Sequence, residues 1–332
     1  MLRFVLVQPD PGTRVSGGYL YNAQMAAHGA WELLNVASGR GLDVALDKID
    51  ADLVIADSIW LTEATMAPFL RRAARGTQVA MMMHSFPSMI AAADSGTVRT
   101  EPTELEIKTL ERLGLAILPG PHYVPRLSTR RLVCEPGIDD AWRRPPRRRA
   151  GPCSLVAVGA VTPRKGFLDV LEVLARRPGG WTLRIVGSLT IHPDYAKAVA
   201  EMAARLDGVM LVGPKTPDET RDIVTGADVL VMPSYDENQP LVVLEAMAAS
   251  VPTVAYAAGA TRHMLRHDGE GLVGPIGNKT ALASHLFRLL DDEAERYRLA
   301  EGCWKRQETI PSWASAAAQA RTKLGALLQD KL

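Results

Sequence analysis

Residues 227–256 read ADVLVMPSYDENQPLVVLEAMAASVPTVAY, and the order of features in this stretch decides the fold. The apolar run Val229–Met232 stops at Pro233, as a short buried strand does. A polar stretch without periodicity follows. Leu241–Ala249 then reads as a helix beginning near Pro240 or Leu241, because proline is tolerated at a first helical position. Thr253–Tyr256 is a second apolar strand. Strand, helix and strand in this order make a βαβ unit and a parallel sheet.

The same alternation extends outward in both directions. Strands are expected at Phe4–Val7, Leu53–Ala56, Val79–Met83, Leu115–Leu118 and Arg131–Cys134. A second set is expected at Leu155–Val158, Thr182–Val186 and Val209–Val212. Helical patterns at Phe167–Arg176, Tyr195–Arg205, Glu219–Thr225 and Lys279–Asp291 lie between the later strands. Right-handed crossovers put helices on both faces of each sheet. Between the two sets stands DDAWRRPPRRRAGP, residues 139–152, whose prolines and arginines suit a linker. The expected division is a first domain over 1–140, a linker over 141–152 and a second domain over 153–311. Ligands of such sheets bind beyond the carboxyl ends of the strands.

At 332 residues the chain has room for two domains of roughly 100–200 residues each. Its 38 Lys and Arg against 37 Asp and Glu leave a net charge of +1, which argues against nucleic acid as a partner. The run Arg143, Arg144, Arg147, Arg148 and Arg149 reads as a solvated linker. Prolines prevent a basic helical face there, which leaves weak peripheral membrane contact as the alternative. Three scattered cysteines form neither a disulfide framework nor a zinc site. The opening MLRFVLVQPDPG is too short for a signal peptide, and no apolar run approaches the ~18 residues of a membrane span. A cytoplasmic protein is expected.

Four strand ends carry candidate chemistry. Ser16-Gly17-Gly18-Tyr19 follows the first strand and offers a close backbone approach at a helix start. It is not a GxGxxG fingerprint, and it equally suits a plain glycine turn. His84 leaves the strand VAMMM and reads as a ligand to a hydroxyl or phosphate or, more often for a lone histidine, as a structural residue. Arg164 and Lys165 follow VAVGAVTP at a helix start, where two cations oppose the helix dipole by ~0.3–1 kcal/mol each. A bound anion resolves that conflict; solvated heads are the bland alternative. Glu237 and Glu245, with seven residues between them, bracket the start of the helix in the opening stretch. Its amides face a phosphate while the carboxylates accept sugar and ribose hydroxyls. The competing view of the two glutamates is a surface pair.

These residues resemble the family-4 retaining glycosyltransferases, whose fold is GT-B. Glu237–Glu245 is similar to the family's E-x7-E element, and EAMAASVPTVA to its EAMA-x-G-x-P-V-V-A continuation. VGAVTPRKG, EPGID, SGGY, His84 and the late PSWASAAAQA resemble further family segments across nearly the whole chain. The resemblance implies an α/β GT-B fold of two Rossmann-like parallel-sheet domains facing a central cleft. A final helix at about 312–332 would cross back to the first domain. It implies a retaining, metal-independent glycosyltransferase acting on a UDP- or GDP-sugar donor, with no cofactor required. The acceptor, whether small molecule, glycan or lipid-linked, stays open, as does the oligomeric state.

By resemblance, Lys165 and Arg164 hold the diphosphate, Glu245 the ribose hydroxyls, and Glu237 and His84 the donor sugar. Asn238, Gln239, Pro240 and Leu241 form the loop at sugar and phosphate. Gly17, Gly18 and Gly159 approach phosphate, and Gly213, Pro214 and Lys215 hold the base. Two positions depart from the pattern. Ala160 stands where the family has arginine, and Glu237-Asn238-Gln239-Pro240 replaces the glycine-containing E-G-F-G. A catalytically silent nucleotide-sugar-binding or partner subunit, or another GT-B enzyme such as an epimerase, is the alternative function. Tyr19, Tyr21, Trp60, Phe86 and Met89 are candidates for an acceptor pocket or, for most of them, core.

Overall fold

The computed structural model describes residues 2–12, 16–37, 41–97, 99, 101–121, 128–149 and 151–329. Ala150 of the expected linker and residues 330–332 of the expected final helix lie outside the described residues. In chain order the first half runs β1 (Phe4–Pro9), α1 (Gly17–Ala27), β2 (Glu32–Val36), α2 (Leu42–Asp47), β3 (Leu53–Asp57), α3 (Glu63–Ala74), β4 (Gln78–Met82), α4 (Pro87–Asp94), α5 (Glu104–Leu113), β5 (Leu115–Leu118) and β6 (Arg130–Val133). The second half runs β7 (Cys153–Val158), α6 (Phe167–Leu174), β8 (Trp181–Val186), α7 (Pro193–Ala203), β9 (Val209–Gly213), α8 (Pro217–Thr225), β10 (Val229–Met232), α9 (Leu241–Ala248), β11 (Thr253–Tyr256), α10 (Thr261–Met264), β12 (Gly271–Gly274), α11 (Lys279–Asp291) and α12 (Glu293–Gln307). Helix α13 (Trp313–Gln329) follows.

The chain forms two compact units, one of Met1–Ala92, Arg99–Gly137 and Pro311–Leu332, the other of Ala93–Val98 and Ile138–Ile310. Each contains one six-stranded sheet in which every pairing is parallel. The first sheet has the order β2-β1-β3-β4-β5-β6. The second, read from its far edge, is β9-β8-β7-β10-β11-β12, which is the Rossmann order 3-2-1-4-5-6 when its strands are counted from β7. The order in which successive strands are added therefore reverses between β1 and β3 in one sheet and between β7 and β10 in the other. Those are the two points where an α/β sheet opens a crevice for a ligand.

Burial on both faces explains the unbroken apolar runs. Val229 and Val231 of β10 join the core on one side, with Leu155, Leu183 and Val254. Leu230 and Met232 face the other, with Val156, Val186 and Val243. Alternation along a strand distributes successive side chains to opposite layers, so no polar residue is tolerated at either parity.

In the first unit, α13 is held by its own charges. Arg321 donates to the Leu2 carbonyl at 2.7 Å, and Lys323 to the Val133 carbonyl at 2.9 Å. Gly137 of EPGID lies so close to the start of α13 that a Cβ there would overlap the Trp313 backbone. The Tyr21 hydroxyl donates to the Cys134 carbonyl at 2.6 Å, and its ring stands edge-on to Trp313, with centroids 6.0 Å apart.

In the arginine run, Arg144, Arg147 and Arg148 are exposed as a solvated linker would be, but the segment also bonds to the rest of the second unit. Arg143 donates to the carbonyls of Gln307 at 2.9 Å and Ile310 at 3.1 Å. Arg147 and Arg149 donate to the carbonyls of Thr225 and Gly226, where α8 ends. Arg148 lies 4.5 Å from the centre of the Tyr297 ring. The last turn of a helix leaves carbonyls without intrahelical partners, and guanidinium groups supply them. Helix α8 thus uses the arginines as its C-terminal cap. Tyr21, Trp60, Phe86 and Met89 are buried. No helix among the described residues is long and apolar enough to cross a membrane.

Candidate active site

In the second unit, the turn after β7 and the loop after β10 meet at the reversal point. Gly159 follows β7 with φ +150°, and a Cβ there would press on the Lys165 chain at 3.0 Å. Arg164 and Lys165 lie on a short 3-10 turn, Pro163–Lys165, ahead of α6 rather than within it. The Arg164 carbonyl accepts the Tyr235 N–H at 2.8 Å, and the Arg164 guanidinium donates to the Asp236 carbonyl at 2.8 Å. These two bonds clamp turn to loop. They bring the Glu237 carboxylate against the Lys165 ammonium in an ion pair, with Arg164 3.9 Å away.

The conflict posed by two adjacent cations is therefore met within the protein by Glu237. Neither cation has a solvated head: the side chains of Arg164 and Lys165 are 20% and 15% exposed. Burial draws the Lys165 ammonium below its ordinary pKa, with Glu237 opposing. Burial raises the Glu237 carboxyl, but Lys165 and Arg164 together outweigh it and leave the group ionised below the usual range. Asp236 beside them is raised by burial, against Arg164.

Glu245, at the fifth position of α9, is equally buried but has no ion-pair partner among the described residues. Burial alone pushes its carboxyl up to about 7. Both glutamates are thus inside, which removes the surface-pair reading. Pro240 is the N-cap of α9, and Leu241 its first residue. Asn238, Pro240 and Leu241 are buried. The side-chain atoms Thr162 Oγ1, Arg164 Nε and Gln239 Oε1 on these loops, and Thr261 Oγ1 at the start of α10, are buried without a hydrogen-bond partner among the described residues. Such a concentration of unpaired polar atoms is unusual in a folded core.

The loop is braced by residues the sequence reading did not single out. Asp169 of α6 accepts the Tyr235 and Tyr256 hydroxyls at 2.7 and 2.8 Å, and Lys279 lies 3.3 Å from its other oxygen. Gly259, with φ +51°, passes so close to the Glu237 carbonyl that a Cβ would overlap the oxygen. An L-residue in left-handed backbone costs roughly 1–2 kcal/mol before any clash. Gly259→Ala is accordingly expected to destabilise the protein by more than about 2 kcal/mol, read as a lower urea midpoint with an unchanged slope. The signal for Gly259 was present in AAGA after β11, but nothing local marked its neighbour as Glu237.

Gly213, Pro214 and Lys215 lie at the end of β9, and the Gly213 carbonyl accepts the N–H of Gly187, whose backbone packs on the Gly159 carbonyl. Gly213 ends the edge strand β9, and Lys215 pairs with Glu219 at 3.2 Å. In the first unit, Gly17 opens α1, capped by the Ser16 side chain, and Gly18 lies against the His84 ring, which a Cβ would meet at 3.1 Å. His84 leaves β4 and is bonded to Asn22 at 2.9 Å, with Asp57 at 3.6 Å. Asp57 ends β3, so this cluster too sits at its sheet's reversal point. Burial lowers the His84 pKa, and Asp57 opposes it.

Residues 139–305, the segment holding the Lys165–Glu237 pair, match the family model described as glycosyl transferases group 1. The chain is 29% identical over 195 residues to D-inositol 3-phosphate glycosyltransferase of Corynebacterium glutamicum, covering 55% of this chain and 46% of that protein. It spans about half the length of the curated relatives it matches, or less. Among solved structures, sucrose-phosphate synthase from Thermosynechococcus elongatus superposes with a TM-score of 0.81 at 18% identity, covering 99% of both chains. Anabaena HepE in complex with UDP-glucose gives 0.78 at 14% identity, covering 98% of this chain and all of that one. The paired Rossmann-like sheets are those of the GT-B fold, and with the family model spanning half of its residues the chain belongs to the glycosyl transferases group 1 family.

Proposed function

We propose that the protein is a retaining glycosyltransferase of the family-4 type, moving a sugar from a nucleotide-diphosphate donor, UDP- or GDP-linked, to an acceptor hydroxyl without a metal ion. The observation that carries this reading is the buried Lys165–Glu237 pair, flanked by Arg164, at the β7/β10 reversal point. Cleaving a sugar–diphosphate bond places negative charge on the leaving phosphate. Lys165, Arg164 and the first N–H groups of α9 are the positive groups available to stabilise it. The UDP-glucose in the HepE structure supports a nucleotide-sugar donor in this fold.

The ion pair suggests a sequence of partners. Without donor, Glu237 neutralises Lys165. When the diphosphate arrives, Lys165 turns to it, and the Glu237 carboxylate is released to accept a hydroxyl of the donor sugar. Glu245 accepts the ribose hydroxyls, and its lack of a protein partner suits that role. Asn238, Gln239, Pro240 and Leu241 line the sugar and phosphate, and Gly213, Pro214 and Lys215 the base. Gly17, Gly18 and His84 keep the donor-binding roles that the resemblance gives them. The leaving phosphate takes the acceptor's proton, so no separate base is needed.

A thermal-shift screen of UDP, GDP, ADP and TDP and their sugars, in the presence of a chelator, tests this reading. One nucleotide series should raise the melting temperature by several degrees, since a ligand at 100 times its Kd adds about 2.7 kcal/mol. No shift with any nucleotide would remove the donor assignment. Binding without turnover would identify a silent subunit.

A further inference from the structure

The first unit contains a chain of polar side chains running inward from His84. His84 Nε2 lies 2.9 Å from Asn22 Oδ1. Asn22 Nδ2 donates to Gln8 Oε1 at 2.8 Å and to Asp57 Oδ2 at 2.6 Å, and Gln8 Nε2 donates to Asn35 Oδ1 at 2.9 Å. Gln8, Asn22 and Asp57 are buried at or below 1% exposure. The group that decides how they point is Asp57. Its Oδ1 accepts the Ile59 N–H at 2.9 Å, so the carboxylate is used as an acceptor at both oxygens.

An amide can turn over and exchange donor for acceptor at little cost, and a neutral imidazole can move its proton between nitrogens. Asn35, Gln8, Asn22 and His84 are all reversible in this sense. A carboxylate is not, because it only accepts. Asp57 must therefore face the NH2 side of Asn22. The other side of Asn22 is then its carbonyl oxygen, which requires a proton on His84 Nε2. Burial keeps the ring neutral, since it lowers the His84 pKa.

We propose that Asp57, acting through Asn22, fixes His84 as the Nε2–H tautomer, so that Nδ1 carries a lone pair and accepts a ligand hydroxyl rather than donating to a phosphate oxygen. Asp57 and Asn22 are positioning residues in this scheme. Among the described residues no partner of Nδ1 is found, and the His84 side chain is 14% exposed. A lone pair there repels an anion and favours a neutral hydroxyl donor. The choice between hydroxyl and phosphate, which the sequence leaves open for His84, follows from a carboxylate 27 residues away in the chain. That His84 meets the donor sugar rests on the function proposed above; the tautomer does not.

The test is a two-bond proton–nitrogen correlation spectrum of protein labelled with 15N-histidine at pH 7.5, the His84 signals identified by their loss in His84→Gln. The expected spectrum shows a neutral ring protonated on Nε2. A ring protonated on Nδ1 overturns the proposal without any variant being made. In Asp57→Asn, which keeps the shape of the side chain, the Ile59 N–H holds the amide oxygen and turns its NH2 toward Asn22. The chain Asn35–Gln8–Asn22 should then reverse, and the His84 proton should move to Nδ1. A well-folded Asp57→Asn protein still protonated on Nε2 would show that Asp57 does not set the direction. With UDP-glucose added to the wild type, the Nδ1 resonance should move upfield as a hydroxyl bonds to it. The same movement with UDP alone would overturn the placing of that hydroxyl on the donor sugar, and absence of binding by either would remove the UDP-linked donor while leaving the tautomer result standing.

Discussion

Lys165→Ala is expected to lower nucleotide-sugar turnover by about 10²–10³-fold, the usual loss when one preorganised group facing a developing charge is removed. The substitution should also disturb the unliganded protein, because Lys165 is half of a buried ion pair. Removing one partner of such a pair costs ~3–5 kcal/mol when the other is left unpaired. Here Arg164 stands 3.9 Å from the same carboxylate and should hold the loss toward or below the low end of that range. The double variant Lys165→Ala, Glu237→Ala should recover part of the stability, since the buried carboxylate is gone and only Arg164 loses a partner, yet recover none of the activity. A double-mutant cycle in denaturant then isolates the coupling, and donor hydrolysis by the same four proteins supplies the rates. If the double variant is no more stable than Lys165→Ala, the pair is not the reason for the loss. If Lys165→Ala turns over at near the wild-type rate, Lys165 is not at the reacting phosphate.

This expectation differs from what the residues alone suggest. From sequence, Lys165 and Glu237 are two separate ligands for a donor. They are 72 positions apart and bonded to each other. That pairing depends on β7 and β10 being neighbours, and the choice of neighbouring strands in a parallel sheet is set by tertiary packing. What was legible is local. The apolar run Val229–Met232, the helix from Leu241 and the strand Thr253–Tyr256 are all present as read. So are the strands around them, most of them continuously apolar because they are buried on both faces, though β6 and β8 are partly exposed.

The two strands missed have local causes. Gly271–Gly274 is half glycine, the residue least favoured in a strand, and it forms because β11 provides the ladder. Glu32–Val36 is an edge strand of mixed polarity with no alternation to mark it. The same holds for Asp57. A carboxylate at the end of LVIAD reads as a turn residue, and only its placement against Asn22 and His84 gives it a part in the site. The packing of the exposed arginine run on α8 was not legible for a related reason. Proline excludes a helix at 145–146, but an extended segment can still lay its guanidinium groups on the end of a neighbouring helix, as Arg147 and Arg149 do.

Glu245→Gln should make the protein more stable and a poorer nucleotide binder. In the folded chain burial lifts the Glu245 carboxyl from 4.5 to about 7, so the folded state holds this proton more tightly than the unfolded state does. Stability from this group is therefore complete below the unfolded value and is lost as pH rises through the folded one. Over that window the loss reaches about 3 kcal/mol. Glutamine mimics the protonated acid and has no such slope. At pH 5 the variant should be ahead by less than about 1 kcal/mol in guanidinium denaturation; at pH 8 it should be the more stable by up to about 3 kcal/mol. Nucleotide affinity should move the other way. A carboxylate accepting hydroxyl protons contributes ~1.5–3 kcal/mol, so the variant should bind its nucleotide about 10–100-fold more weakly at pH 8. Wild-type affinity should fall as pH drops below about 7, because binding then requires the proton to leave, while the variant's affinity stays flat. Calorimetric titrations at pH 6 and 8 distinguish the two slopes. An equal stability difference at pH 5 and pH 8 would mean that burial of charge at Glu245 is not what the substitution relieves. Equal affinities would mean that the ribose is held elsewhere. The opposition of the two effects has one physical source: a carboxylate kept in apolar surroundings without a protein partner lowers the stability of the free protein, and a bound diol supplies the hydrogen bonds that the fold withholds.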